Sequence, residues 1–190
     1  MKQLVCAVLL VNGACFADNT INIDQIGDSN SITISQEGTQ HTATVTLGKT
    51  NNVDYTTLAI IQQGTGAKTA GVEIKSGTSN GVNIFQDGTG AHTASIQNLT
   101  GNGNNIGITQ TGAGNHIMNI TNPLGATNSG NTVNATQSGG QGADKRFDLT
   151  FNGATGAGVT VIQTNPTTAD QGGFNIQCNP CGNSWSYIKY

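Results

Sequence analysis

Ile21-Asn22-Ile23-Asp24-Gln25-Ile26-Gly27 is followed eleven residues on by Ile32-Thr33-Ile34-Ser35-Gln36-Glu37-Gly38. Both stretches alternate apolar and polar residues, then place Gln and, two residues later, Gly. The phrase returns, with substitutions, thirteen times along the chain, as in Val82-Asn83-Ile84-Phe85-Gln86-Asp87-Gly88 and Ile106-Gly107-Ile108-Thr109-Gln110-Thr111-Gly112. A unit this short cannot bury a core alone and has to stack on its neighbours. β-branched residues two apart, flanked by Asn, Thr and Ser, have the period of a strand, and the density of Gly, Asn and Thr disfavours helix.

The second apolar position of the units is occupied by Ile23, Ile34, Val45, Ile60, Ile74, Ile84, Ile96, Ile108, Ile120, Ala135, Leu149, Val161 and Ile176. The isoleucines among them, Ile23, Ile34, Ile60, Ile74, Ile84, Ile96, Ile108, Ile120 and Ile176, are the predicted apolar stack. The third inward position carries Gln36, Gln62, Gln86, Gln110, Gln137 and Gln163 in every even-numbered unit, at intervals of 26, 24, 24, 27 and 26 by difference. In the odd-numbered units it varies, with Gln25, Leu47, Ser76, Asn98 and Phe151 among its occupants. The repeat is therefore two strands, and the expected fold is all-β: a two-sheet β-solenoid of stacked strand–turn–strand units, thirteen strands in six and a half rungs. A buried Gln is stable only when both ends of its amide are hydrogen-bonded. In parallel register at about 4.8 Å each amide can donate to the next. The predicted ladder is Gln25, Gln36, Gln62, Gln86, Gln110, Gln137 and Gln163, with turns at Gly27, Asn30, Gly38, Gly64, Gly88, Gly112 and Asn115.

Composition agrees with an ordered polar β structure. The 190 residues carry a net charge of −3, 9% charged and 5% aromatic residues, and 27 glycines. Disorder requires low hydrophobicity together with high net charge, which this chain lacks. There is no basic patch to attract nucleic acid. Asp24, Asp28, Glu37, Glu73, Asp87 and Asp144 are scattered, as solvated charges that restrain aggregation would be. An enzyme on a parallel β-helix would need clustered carboxylates or a base in a cleft, and none stands out; neither a catalytic site nor a cofactor is expected.

Lys2, the apolar run Leu4 to Val11 and the small residue Ala17 before Asp18 read as a secretion signal over residues 1–17. The repeat domain is then 18–178, and residues 179–190 form a non-repeat tail. Cys178 and Cys181 suit a local disulfide in an oxidising compartment better than a metal site. Trp185, Tyr187 and Tyr190 are read as capping the last rung. His41, His92 and His116 fall between units at different offsets and are expected to be exposed in turns. Residues 18–21 hold no capping helix, so the N-terminal end of the stack is expected to be open.

Asn19-x5-Gln25-x4-Asn30-x5-Gln36 resembles the curlin repeat, Ser-x5-Gln-x4-Asn-x5-Gln, with Asn19 in the Ser position; Gln110-x4-Asn115 matches half of it. The resemblance implies a secreted subunit of curli-like amyloid fibres, a structural component of biofilm matrix and adhesion on the cell surface. It implies as partners further copies of the chain, a nucleating curlin-like subunit and an outer-membrane secretion pore. The competing expectation is a non-polymerising β-solenoid, an adhesin or viral fibre module, with blocked ends.

Overall fold

A computed structural model describes residues 8–11, 18–48, 51–123 and 126–190. The described residues are all-β and form two parallel sheets stacked face to face as a solenoid. Sheet 1 runs in the order β1 (Val8–Val11), β3 (Ser31–Gly38), β6 (Thr57–Gly64), β8 (Gly81–Asp87), β10 (Asn105–Gly112), β12 (Thr132–Gly139), β14 (Gly158–Gln163) and β16 (Ser184–Lys189). Sheet 2 runs in the order β2 (Thr20–Gln25), β4 (His41–Leu47), β7 (Lys68–Thr78), β9 (His92–Thr100), β11 (His116–Thr121), β13 (Lys145–Phe151) and β15 (Asp170–Ile176). A two-residue strand, β5 (Val53–Asp54), pairs with the end of β7. The chain alternates between the sheets, so each rung is one strand of each, joined by a first arch (sheet 1 to sheet 2) and a second arch (sheet 2 to sheet 1).

Alternation of side chains across each strand decides what is inside. In sheet 1 the inward columns are Ile32, Leu58, Val82, Ile106, Val133, Val159 and Trp185, then Ile34, Ile60, Ile84, Ile108, Ala135, Val161 and Tyr187. In sheet 2 the second column is Ile23, Val45, Val72, Ile96, Ile120, Leu149 and Phe174. From Ile34 to Val161 these columns are buried. At about 25 cal/mol per Å² of apolar surface removed from water, their contact supplies most of the drive for collapse.

Several sequence expectations are corrected. Ile74 and Ile176 do not belong to the second column: Val72 and Phe174 do, and Ile74 pairs with Leu47 and Leu99, Ile176 with Phe151. A period of two fixes which face a residue occupies but not its phase along the strand, so a frame shifted by two residues reads equally well. At Gly172 the first position holds no side chain because the Tyr187 ring fills that space: a Cβ there would sit 2.6 Å from its Cζ. In β9 a bulge at Gln97–Asn98, with Asn98 at φ 59°, sets Leu99 rather than Asn98 against Ile74. Ile23 stands at the edge of sheet 2 and is 40% exposed.

The strand stack also passes beyond Cys178. Ser184–Lys189, expected as a tail outside the repeat, pairs in register with β14, Val159 to Trp185, Val161 to Tyr187 and Gln163 to Lys189. Aromatic residues in place of Ile and Lys in place of Gln hide this fourteenth unit from a pattern search. At the other end β1, inside the stretch read as a signal, pairs Val8 to Thr33 through Val11 to Gln36 and covers the edge of sheet 1 that the sequence left open. An apolar run adds to any free parallel edge within reach. Sheet 2 ends at β2. The expected cleavage after Ala17 lies outside the described residues.

Candidate functional site

Along the middle of the solenoid the six sheet-1 glutamines form one continuous chain of amides. Gln36 Nε2 donates to Gln62 Oε1 at 2.8 Å, Gln62 to Gln86 at 2.9 Å, and Gln86 to Gln110, Gln110 to Gln137 and Gln137 to Gln163 each at 2.8 Å. The second N–H of each amide crosses to sheet 2 and donates to a backbone carbonyl: Thr20, Thr42, Thr69, Thr93, Ile117 and Arg146 in turn, at 2.9–3.3 Å. The ladder thus ties rung to rung along the axis and sheet to sheet across it. All six glutamines are buried, a position polar amides tolerate because each group has its partner. Every bond points the same way, donor toward the C-terminal end. There Gln163 meets no further Gln; its amide donates to Asp170 Oδ2 at 2.9 Å, and Tyr187 Oη donates to Asp170 Oδ1 at 2.8 Å.

Gln25 is outside this column. It lies in β2 of sheet 2, in register with Leu47, half-buried, and its amide donates only to Gly27 O at 3.4 Å. The identity of its side chain suggested a ladder member, but its strand belongs to the other sheet, whose third position holds Leu47, Ile74, Leu99, Phe151 and Ile176 in the paired strands.

A second amide column lines the second arch. Asn30, Asn80, Asn104 and Asn131 are buried just ahead of the sheet-1 strands. Asn30 Nδ2 donates to Val53 O at 2.6 Å and its Oδ1 accepts from Thr56 N at 2.9 Å. Asn104 Nδ2 donates to Asn80 Oδ1 at 3.0 Å and to Asn128 O at 2.8 Å, and Asn131 Nδ2 donates to Asn104 Oδ1 at 3.1 Å. Asn115 is not its equivalent: it sits in the first arch, exposed, where its Oδ1 accepts from Ala91 N. Three of these asparagines escaped the sequence reading, although each stands six residues before its Gln, as Asn30 stands before Gln36.

The first arch is tightest at its glycines. Gly38, Gly64, Gly88 and Gly112 all have positive φ, between 92° and 122°, and a Cβ on any of them would overlap the carbonyl oxygen of the glycine one rung on. Gly27, at φ 128°, meets Val53 O in the same way in the second arch. Only Gly combines that φ with so close a stacking of turns.

Opposite those glycines the first arch encloses a column of polar side chains, all but the first ionisable. His41, Lys68, His92, His116, Lys145 and Asp170 stand in register, one per rung, and Asn19 precedes them, its Oδ1 accepting from His41 N at 2.9 Å. His41, Lys68 and His116 are fully buried and His92 and Lys145 are 1% exposed. The expectation of exposed turn histidines is therefore wrong. All three stand two residues before the first inward apolar residue of their strand, Ala43, Ala94 and Met118, so strand alternation turns them inward. Each supplies a donor to the carbonyls that line the arch. His41 Nε2 pairs with Glu37 O at 3.1 Å, His92 Nε2 with Asp87 O at 2.8 Å and His116 Nε2 with Thr111 O at 2.9 Å. Lys68 Nζ spends its three protons on the carbonyls of Gly66, Gly88 and Gly90 at 2.7–2.9 Å, and Lys145 Nζ donates to Thr168 O. Asn19 does the same at the first rung, donating to Gly38 O at 3.1 Å. Burial holds all three imidazoles below their ordinary range, His92 to about 4, and depresses Lys68 as well. Among the described residues no group of three or more His, Cys, Asp or Glu is placed to hold a metal ion.

Cys178 and Cys181 are joined by a disulfide at the last second arch, with a Cα–Cα distance of 5.1 Å. Trp185 and Tyr187 pack against the core from the last rung, Tyr187 within 5.1 Å of the Phe147 ring centroid; Tyr190 is exposed.

Asn19, Gln25, Asn30 and Gln36 fall within residues 17–46, which match the family model described as curlin associated repeat. The first turn of the solenoid is similar to a curlin repeat. The matched segment covers β2, β3 and most of β4, the first turn of the solenoid. No curated protein and no solved structure matches the chain. Within the curlin repeat the four defining positions now have distinct physical roles. Asn19 donates to the first arch, Gln25 opens the apolar column of sheet 2, Asn30 begins the second-arch amides and Gln36 begins the ladder. The later ladder rungs keep Gln, hold a buried Asn in the second arch only at Asn80, Asn104 and Asn131, with Thr56 and Ala157 in the other two, and fill the first position with His, Lys or finally Asp170, which is why the repeat is recognisable only at its start.

Proposed function

We propose that this chain is a secreted structural subunit that assembles end to end into curli-like amyloid fibres, serving biofilm matrix and adhesion at the cell surface. The observation that carries this reading is the unidirectional Gln ladder from Gln36 to Gln163. A column in which every rung donates to the next is periodic along the axis, and a parallel stack of this kind is extended by adding rungs at its ends. Among the described residues β2 and β15 end sheet 2, and β16 ends sheet 1, with unpaired strand edges. On this reading the role is structural rather than catalytic. The partners are other copies, a nucleating curlin-like subunit and an outer-membrane secretion pore, reached after removal of residues 1–17.

The rival reading, a non-polymerising β-solenoid adhesin or fibre module, draws on the last rung. There Asp170 takes the final amide proton and Lys189 stands in the Gln column. Seeded growth separates the two. Purified chain at neutral pH should convert to thioflavin-binding sediment after a lag that sonicated seeds abolish. Protein that stays soluble and unseedable for days contradicts fibre assembly and favours the module.

A further inference from the structure

The first-arch column contains titratable groups that fibre assembly alone does not call for. Each imidazole offers its Nε2 to a carbonyl, so Nε2 carries the proton and Nδ1 is bare. The Nδ1 atoms of His41, His92 and His116 are all buried without a hydrogen-bond partner. A neutral ring tolerates this, since an unmet aromatic nitrogen costs little beside an unmet charge. Protonation at Nδ1 would create a buried N–H with no acceptor and a buried positive charge in the same step.

The neighbours make that charge worse. His41 faces Asn19 just ahead of β2, Lys68 from β7 and the Glu37 backbone from β3. His92 faces Lys68 from β7, His116 from β11, and Asp87 from β8. Its ring lies flat on His116, centroids 4.8 Å apart and planes within 5°. His116 faces His92 from β9 and both Lys145 and Asp144 at the start of β13. At neutral pH, two uncharged rungs separate Lys68 from Lys145, by about 14 Å at the parallel strand spacing. With all three imidazoles protonated, five consecutive rungs would be cationic at about 4.8 Å intervals, opposed only by the carboxylates at the column's flank and its Asp170 end.

We propose that this buried imidazole column is an acid-operated release built into the first arch: neutral, it closes the arch; protonated, it forces the arch open and dissolves the solenoid. Protonation sites that exist only in the opened chain shift the equilibrium toward it as pH falls. Each such imidazole lowers the folded-to-unfolded ratio up to about tenfold per pH unit below its unfolded value. The device does not depend on the fibre reading, because it acts on the fold of a single chain.

The test is denaturant unfolding of the full chain between pH 7 and pH 4.5, compared with His41→Asn, His92→Asn and His116→Asn. Asparagine keeps a donor for the arch carbonyl, as Asn19 does, and cannot take a proton. The wild-type chain should lose stability across this range, and each variant should lose up to about tenfold less per pH unit than wild type. An equal pH dependence in wild type and variants, or none in wild type, overturns the proposal. Where a variant fails to fold, the wild-type chain decides alone by imidazole NMR. The His92 ring should stay neutral in the folded state at pH 5.5 and the His41 and His116 rings should titrate below their ordinary range; rings that titrate near 6.5 without unfolding overturn the proposal.

Discussion

Gln86 donates one amide proton along the axis to Gln110 Oε1 at 2.8 Å and the other across the core to Thr69 O at 3.1 Å. One side chain therefore fixes both the register between rungs and the contact between sheets. Replacing it with Leu keeps the apolar volume and removes both functions. The amide of Gln62 loses its acceptor, and Gln110 Oε1 and Thr69 O lose their donors. Gln86→Leu should cost roughly 3 kcal/mol or more, since three buried groups are orphaned at about 1–3 kcal/mol each, readable as a lower urea midpoint. Gln86→Leu/Gln110→Leu should still collapse but extend seeds more slowly; unchanged growth would mean that the amides do not set register.

Lys68 is a buried cation without a carboxylate contact, held by three carbonyls. Lys68→Met leaves those oxygens unmet and should destabilise the chain by roughly 3 kcal/mol or more. Lys75→Met provides the contrast. Lys75 is a half-buried residue 3.7 Å from Glu73, and its loss should change stability by less than about 1 kcal/mol. Circular dichroism melts of the two variants compare them directly.

Tyr187 closes the last rung by filling the space that Gly172 leaves and by donating to Asp170. Tyr187→Ala should remove the half-buried ring from Phe147 and Phe174 and take one donor from the Asp170 carboxylate, at a cost of roughly 1–3 kcal/mol, below that of a fully buried aromatic. Hydrogen exchange should show the loss concentrated in β14, β15 and β16. Uniform protection after the substitution would contradict the inclusion of the tail in the stack.

His92 supplies the sign of the pH dependence. In the unfolded chain it takes a proton near 6.5, and in the fold burial holds it at about 4. The unfolded state thus binds more protons between those values. Its contribution is complete above pH 6.5 and is lost as pH falls toward 4. At about 1.4 kcal/mol per pH unit this one ring accounts for about 3 kcal/mol at most. Urea midpoints should fall on acidification from pH 7 to 4.5, and by a smaller amount in His92→Asn, where His41 and His116 remain.

The all-β class, the two-sheet arrangement and the Gln column were legible because strand alternation and the spacing of Gln36, Gln62, Gln86, Gln110, Gln137 and Gln163 are properties of the chain order. What stayed hidden depends on which atoms share a rung. The phase of β7 and β15 was lost because Ala70 and Gly172 are too small to mark an inward position. The ionisable column was lost because a polar residue beside a turn reads as exposed, although His41, His92 and His116 each stand two residues before an inward apolar position (Ala43, Ala94 and Met118) and so share its face. Gln25 misled in the opposite sense: its residue type matched, but its strand lies in the other sheet. The last rung was unreadable because Trp185, Tyr187 and Lys189 replace the residue types that define the repeat.

Negative-stain electron microscopy with X-ray fibre diffraction, on the purified chain after a day at neutral pH, bears on end-to-end stacking most directly. Unbranched fibres with a meridional reflection near 4.7–4.8 Å are predicted, because the rung spacing within a copy would continue between copies. Discrete particles of single-chain mass with the same β circular dichroism would contradict it and place the solenoid among the capped, non-polymerising modules.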